Sequence, residues 1–133
     1  MRTIKYKEVV DAVSRLCIES CYELPGDVLE AITTAEKAET NPAAASLLGE
    51  LIENARIASQ ERIPLCQDTG LAVVFVEQGA GLTITPPAGK DNATLFDAIN
   101  EGVADGYEKG LLRKSVVGEP LKNRSNTNTN TPA

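Results

Sequence analysis

Four consecutive residues, Cys66, Gln67, Asp68 and Thr69, carry a thiol, an amide, a carboxylate and a hydroxyl. Pro64 stands just ahead of them, Gly70 closes the stretch, and the apolar run LAVVFV follows at once. A thiolate is a soft metal ligand or a nucleophile. A carboxylate in a dry cleft serves as an acid, a base or an orienting group. The same residues also suit an ordinary turn, with Asp68 and Thr69 bonding to nearby backbone and Cys66 packing as a small hydrophobe. The spacing alone leaves both readings open. The chain has no histidine, which removes the commonest general base and the commonest metal ligand. Chemistry therefore falls to carboxylates, hydroxyls, a thiolate, Lys or Arg.

Three further groups invite the same question. Arg113 and Lys114 sit between apolar flanks, LL before and SVV after. Either they form a solvated pair near a helix C-terminus, where the dipole favours cations, or one is held in a cleft to bind an anion. Cys17 and Cys21 stand four apart on one helix face; without further local ligands, core packing is the better reading, and neighbours that point the same way disfavour a disulfide. The ending KNRSNTNTNTPA is polar and repetitive, and its composition favours a flexible tail over a binding loop.

Helical spacing predicts a helix over residues 6–24, with Val9, Val10, Val13, Leu16, Cys17, Cys21 and Leu24 on its apolar face. LPGD breaks it, and Pro25 starts a second helix through Val28, Leu29, Ile32 and Ala35. The TNP stretch caps a third, which carries Leu47, Leu48, Leu51, Ile52, Ala55 and Ala58. Residues 71–76 read as a buried strand, and LTIT as a second strand that makes a hairpin with it. A fourth helix spans 93–109 with Leu95, Phe96, Ile99, Val103 and Tyr107 on its face and Gly110 at the C′ position. LLRKSVV reads as a short extended segment. The expected architecture is α+β, a helical N-terminal half followed by a small sheet with a packed helix. One domain is expected over 1–121, with a flexible tail over 122–133.

Composition bounds the partners. At 133 residues with 42% hydrophobic and 24% charged residues, the chain suits one globular domain. Its net charge of −6 argues against nucleic acid and anionic membranes. No apolar run reaches membrane-spanning length and the N-terminus lacks an apolar signal core. Three cysteines in no secreted-domain pattern point to a reducing cytoplasm.

CQDTG, together with LAVVFVEQG, INEGVADGYEKGLLRKSVVGEPL and the ending NTNTNTPA, resembles the N-terminal part of the α subunit of class I fumarases, the iron–sulfur hydratases that convert fumarate to L-malate. The L-tartrate dehydratase α subunit shares CQDTG, while GLLRKSVV looks closer to the fumarase branch. The resemblance implies a hydro-lyase of the tricarboxylic acid cycle. It implies that Cys66 is one of three cysteine ligands of a 4Fe–4S cluster with one iron open to substrate. Gln67 and Asp68 would line the site, with Asp68 transferring a proton or orienting the substrate. Arg113 would clamp a carboxylate of the small dicarboxylate substrate. The partners implied are the remaining α-subunit chain, a β subunit and further copies in an oligomer.

Two departures from the family pattern carry expectations of their own. The family's two further cluster cysteines have no counterpart here, so the chain alone is expected to be inactive. Where the family reads NTGDNTPA, Asn128 and Thr129 replace the glycine and the acid. The alternatives are a tartrate dehydratase part and a non-catalytic binding or assembly module that keeps the fold.

Overall fold

A computed structural model describes residues 2–132. In chain order it contains β1 (Arg2–Lys5), α1 (Tyr6–Tyr22), α2 (Gly26–Ala38), α3 (Pro42–Glu61), β2 (Leu82–Thr85) and α4 (Leu95–Lys109). The class is α+β. Two compact units divide the chain. One takes the residues up to Ile18 and those from Asp68 onward; the other is Glu19–Gln67.

The first unit is organised by a close contact between α1 and α4. Ala98, Gly102, Gly106 and Gly110 recur every fourth residue and so fall along one face. A Cβ on Gly102 would lie 2.8 Å from the Val10 carbonyl oxygen, and one on Gly106 would lie 2.7 Å from that of Ser14. These two glycines are there because the backbone of α1 occupies the space. Tyr6, Val10 and Ala98 form the adjoining core, with Val9, Ile84 and Ala93 packed against it. Thr94 and Asp97 start α4 with a reciprocal capping box.

The sheet departs from expectation. β2 pairs in parallel with β1, Arg2 opposite Leu82 and Lys5 opposite Thr85. It makes no hairpin with residues 71–76, which are exposed throughout and form no strand. The face and the end of α4 also differ. Its buried residues are Ala98, Gly102, Val103, Gly106 and Tyr107; Gly102 and Gly106 join Val103 and Tyr107 there because the α1 backbone leaves no room for a side chain at those two positions. Phe96 lies outside that contact and is exposed. Gly110 has φ −81, so the left-handed residue is instead Leu111, φ 52. Gly110 serves close packing, since its Cβ would meet Ile18 Cγ1 at 2.9 Å.

The second unit is the helical hairpin α2–α3 with the end of α1. Asn41 caps α3, its Oδ1 accepting from the Ala43 N–H at 2.9 Å, and Pro42 takes the first helical position. Ala55 and Ala58 of α3 are buried, as is Tyr22. Arg62 ends α3 at φ 56. Its guanidinium lies over the Tyr22 ring, 5.2 Å from the centroid, and pairs with Glu23 at 2.7 Å.

Candidate active site

Asp68 builds its own turn. Its Oδ1 accepts the Gly70 N–H at 3.1 Å, and Gly70 takes φ 61. A Cβ on Gly70 would meet open space, so the glycine answers a conformational demand rather than crowding. Tyr107, buried in α4, donates its hydroxyl to the carbonyls of Thr69 (3.1 Å) and Gly70 (3.2 Å). Thr69 Oγ1 in turn donates to the Arg113 carbonyl at 3.1 Å. The DTG turn is thus fastened to α4 on one side and to the segment bearing Arg113 on the other.

The Asn and Thr run completes this assembly. Asn130 is 4% exposed. Its Oδ1 accepts the N–H groups of Ser115 (2.7 Å) and Val116 (3.0 Å), and its Nδ2 donates to the Gly70 carbonyl at 3.2 Å. Asn126 Nδ2 donates to the Lys114 carbonyl at 2.5 Å, and the Thr127 N–H to that of Val116 at 2.9 Å. Val117 and Asn126 form one antiparallel bridge. Asn128 and Asn130 stand at φ 61 and 58, a region asparagine tolerates better than most residues. The expected extended segment at LLRKSVV is therefore no strand; side-chain amides supply much of its pairing.

The functional groups face water. Asp68 is exposed, and its carboxylate shapes a surface turn, the plainer of the two readings that its sequence context left open. Arg113 is also exposed, and its guanidinium has no hydrogen-bond or ion-pair partner among the described residues. Of the two adjacent cations, Lys114 is the more enclosed, and it pairs with Glu108. Beyond them, the Glu119 carboxylate accepts the N–H groups of Leu121, Lys122 and Asn123 at 2.6, 2.7 and 3.0 Å. Those amides hold its pKa below the ordinary value.

Cys66 and Gln67 belong to the second unit and are exposed. Their position is set by Leu65, whose N–H donates to the Cys21 carbonyl at 2.8 Å and whose carbonyl accepts Asn54 Nδ2 at 2.8 Å. Burial pushes the Cys21 thiol up. Cys17 is buried, beside Gly106 in the α1–α4 contact. Among the described residues no three of His, Cys, Asp and Glu come together to hold a metal ion. Taken alone, this donor set does not fit an iron–sulfur cluster.

Sequence reasoning named Asp68, Thr69 and Arg113, which one hydrogen-bonded assembly joins. It missed Asn130, and it gave Tyr107 only a core role. The signal for Asn130 was present in the asparagines at alternate positions 126, 128 and 130, which suit left-handed backbone and local amide bonding.

Fold and site together define an α+β segment that presents a carboxylate turn and an arginine to solvent. Comparison supplies its family. The family model described as fumarate hydratase (Fumerase) matches residues 10–133, and the chain belongs to that family. A Methanocaldococcus jannaschii protein named as L(+)-tartrate dehydratase subunit alpha is 35% identical over 92% of this chain and 41% of its own length. A Geobacillus stearothermophilus protein named as fumarate hydratase class I is 29% identical over 84% of this chain and 20% of its own length. Leishmania major mitochondrial fumarate hydratase 1 is 34% identical over 63% of this chain and 14% of its own length. The chain spans less than half the length of each of these relatives.

Proposed function

We propose that the chain is the N-terminal part of the α subunit of an iron–sulfur hydro-lyase that reversibly hydrates fumarate to L-malate in the cytoplasm. The observation that carries this reading is the Asp68–Gly70 turn tied through Thr69 and Asn130 to the Arg113 segment, in a chain of the fumarate hydratase family. The reaction adds water across a carbon–carbon double bond, hydrogen to one carbon and hydroxyl to the other. The substrate's carboxylates need a cation in a protein of net charge −6. Arg113 supplies one, in the planar fork that matches a carboxylate. Gln67 and Asp68 line the substrate site, Asp68 orienting the substrate or moving a proton. Cys66 contributes one thiolate to a 4Fe–4S cluster whose other ligands lie outside these residues. Held by Cys66 and by ligands outside these residues, such a cluster would supply an electrophile for the hydroxyl. The isolated chain is inactive, and the working enzyme is an oligomer with the rest of the α subunit and a β subunit.

Arg113→Gln in the complete enzyme tests the substrate role. Loss of one charge-assisted pair of about 1.5–3 kcal/mol raises KM for fumarate roughly 10- to 100-fold. An unchanged KM contradicts the assignment. A second reading, tartrate dehydration, is favoured by the 35% identity to the Methanocaldococcus jannaschii protein. Turnover of L(+)-tartrate in place of fumarate by the same preparation would select it.

A further inference from the structure

Residues 71–76 are all apolar and all exposed, Phe75 to 94%. Among the described residues, none of their backbone groups has a hydrogen-bond partner. Their side chains nevertheless alternate as in a strand. Ala72, Val74 and Val76 line a groove of about 490 Å³ with Leu95, Phe96 and Ile99 of α4. Leu71, Val73 and Phe75 are absent from that lining and are the more exposed set. An apolar run on both faces is the pattern of a strand that is covered on both sides. A row of unpaired N–H and C=O groups is a template for another strand.

We propose that residues 71–76 are a docking edge for a β-strand of the same α subunit, drawn from the polypeptide that relatives carry outside the matched region. The strand adds by main-chain pairing, and its apolar side chains cover Val73 and Phe75. The inference rests on reading the chain as part of a longer α subunit. Three observations favour this occupant over a second copy. The family match includes residues 71–76, while the chain accounts for only 41% of the Methanocaldococcus jannaschii subunit. Thr131 and Pro132 line the groove, so polypeptide continuing from them emerges beside it. The net charge of −6 sets two copies of this chain against each other.

The test uses the complete α subunit with Phe75 replaced by photoreactive benzoylphenylalanine, a position exposed enough to accept it. A cross-link from residue 75 to a peptide of the same subunit outside residues 1–133 is expected. Amides 72–76 are expected to exchange at least about 100-fold more slowly than unstructured peptide, at a rate independent of protein concentration. A cross-link to residues 1–133 of a second copy, a cross-link to a β subunit, or exchange at the unstructured rate overturns the proposal. Fumarate turnover does not enter the test, so failure of the activity assignment leaves it standing. A gene that encodes no α-subunit residues beyond these overturns both the longer-subunit reading and the docking edge.

Discussion

Replacing Asn130 should release the latch that holds the Asp68 turn against the Arg113 segment. Its side chain makes three hydrogen bonds, two accepted from Ser115 and Val116 and one donated to Gly70. Each is worth about 1 kcal/mol net, so removal of the amide costs about 3 kcal/mol. The backbone adds to this, because Asn130 stands at φ 58, where a Cβ without a local hydrogen bond costs roughly 1 kcal/mol more. Asn130→Ala should therefore destabilise by about 4 kcal/mol and Asn130→Gly by about 3 kcal/mol, since glycine tolerates the left-handed backbone. Asn130→Asp keeps the acceptor but sets a carboxylate oxygen against the Gly70 carbonyl at a site 4% exposed, so it should cost more than the roughly 1 kcal/mol of the lost bond. Urea unfolding midpoints give the order, and hydrogen exchange at the Ser115 and Val116 amides gives the local effect. An alanine variant within about 0.5 kcal/mol of the wild type, with those two amides still protected, would refute the latch.

Gly106→Ala should destabilise by roughly 1–3 kcal/mol although alanine is the better helix former, because its Cβ would lie 2.7 Å from the Ser14 carbonyl oxygen. Gly49→Ala is the control: its Cβ meets only the end of the Glu36 side chain, at 3.1 Å. It should be neutral or stabilising by up to about 1 kcal/mol in the same urea titration. Glu101 is held below its ordinary pKa by hydrogen bonds from Lys90 and Tyr6. A depressed carboxyl contributes stability above its unfolded pKa and loses it as pH falls through the folded value. The Tm of the wild type should therefore drop more between pH 5 and pH 3 than that of Glu101→Gln, and parallel curves would contradict this. Maleimide should label exposed Cys66 first, Cys21 more slowly because burial raises its thiol pKa, and buried Cys17 last, as mass spectrometry of timed samples would read.

The helices were legible because their signals are local. Pro42 behind a capping Asn41 marks a helix start wherever the chain goes next, whereas Gly110, expected as a left-handed C′ glycine, has φ −81 and serves packing. The apolar faces were less secure. The side of α4 that meets α1 is a stripe of Ala98, Gly102 and Gly106, which hydropathy scores poorly, so larger neighbours such as Phe96 were assigned to the core instead. Residues 71–76 carry the residue types of a covered strand, yet strand formation needs a hydrogen-bonding neighbour, and no local pattern says which segment supplies it. The parallel pairing of β1 with β2 joins residues eighty positions apart, Arg2 to Leu82. At the site, types and spacing pointed to Asp68, Thr69 and Arg113. Thr69 bonds the Arg113 carbonyl itself, and the bonds that hold the rest come from Asn130 and Tyr107, whose roles depend on tertiary placement.

The central claim is that Cys66 belongs to the cluster of a hydro-lyase. The measurement is anaerobic reconstitution of the complete enzyme with iron and sulfide, in parallel for wild type, Cys66→Ser and Cys21→Ser, followed by visible absorbance and fumarate turnover. Loss of both signals in Cys66→Ser, with both kept in Cys21→Ser, is the predicted result. A Cys66→Ser enzyme that retains cluster absorbance and full turnover would contradict it.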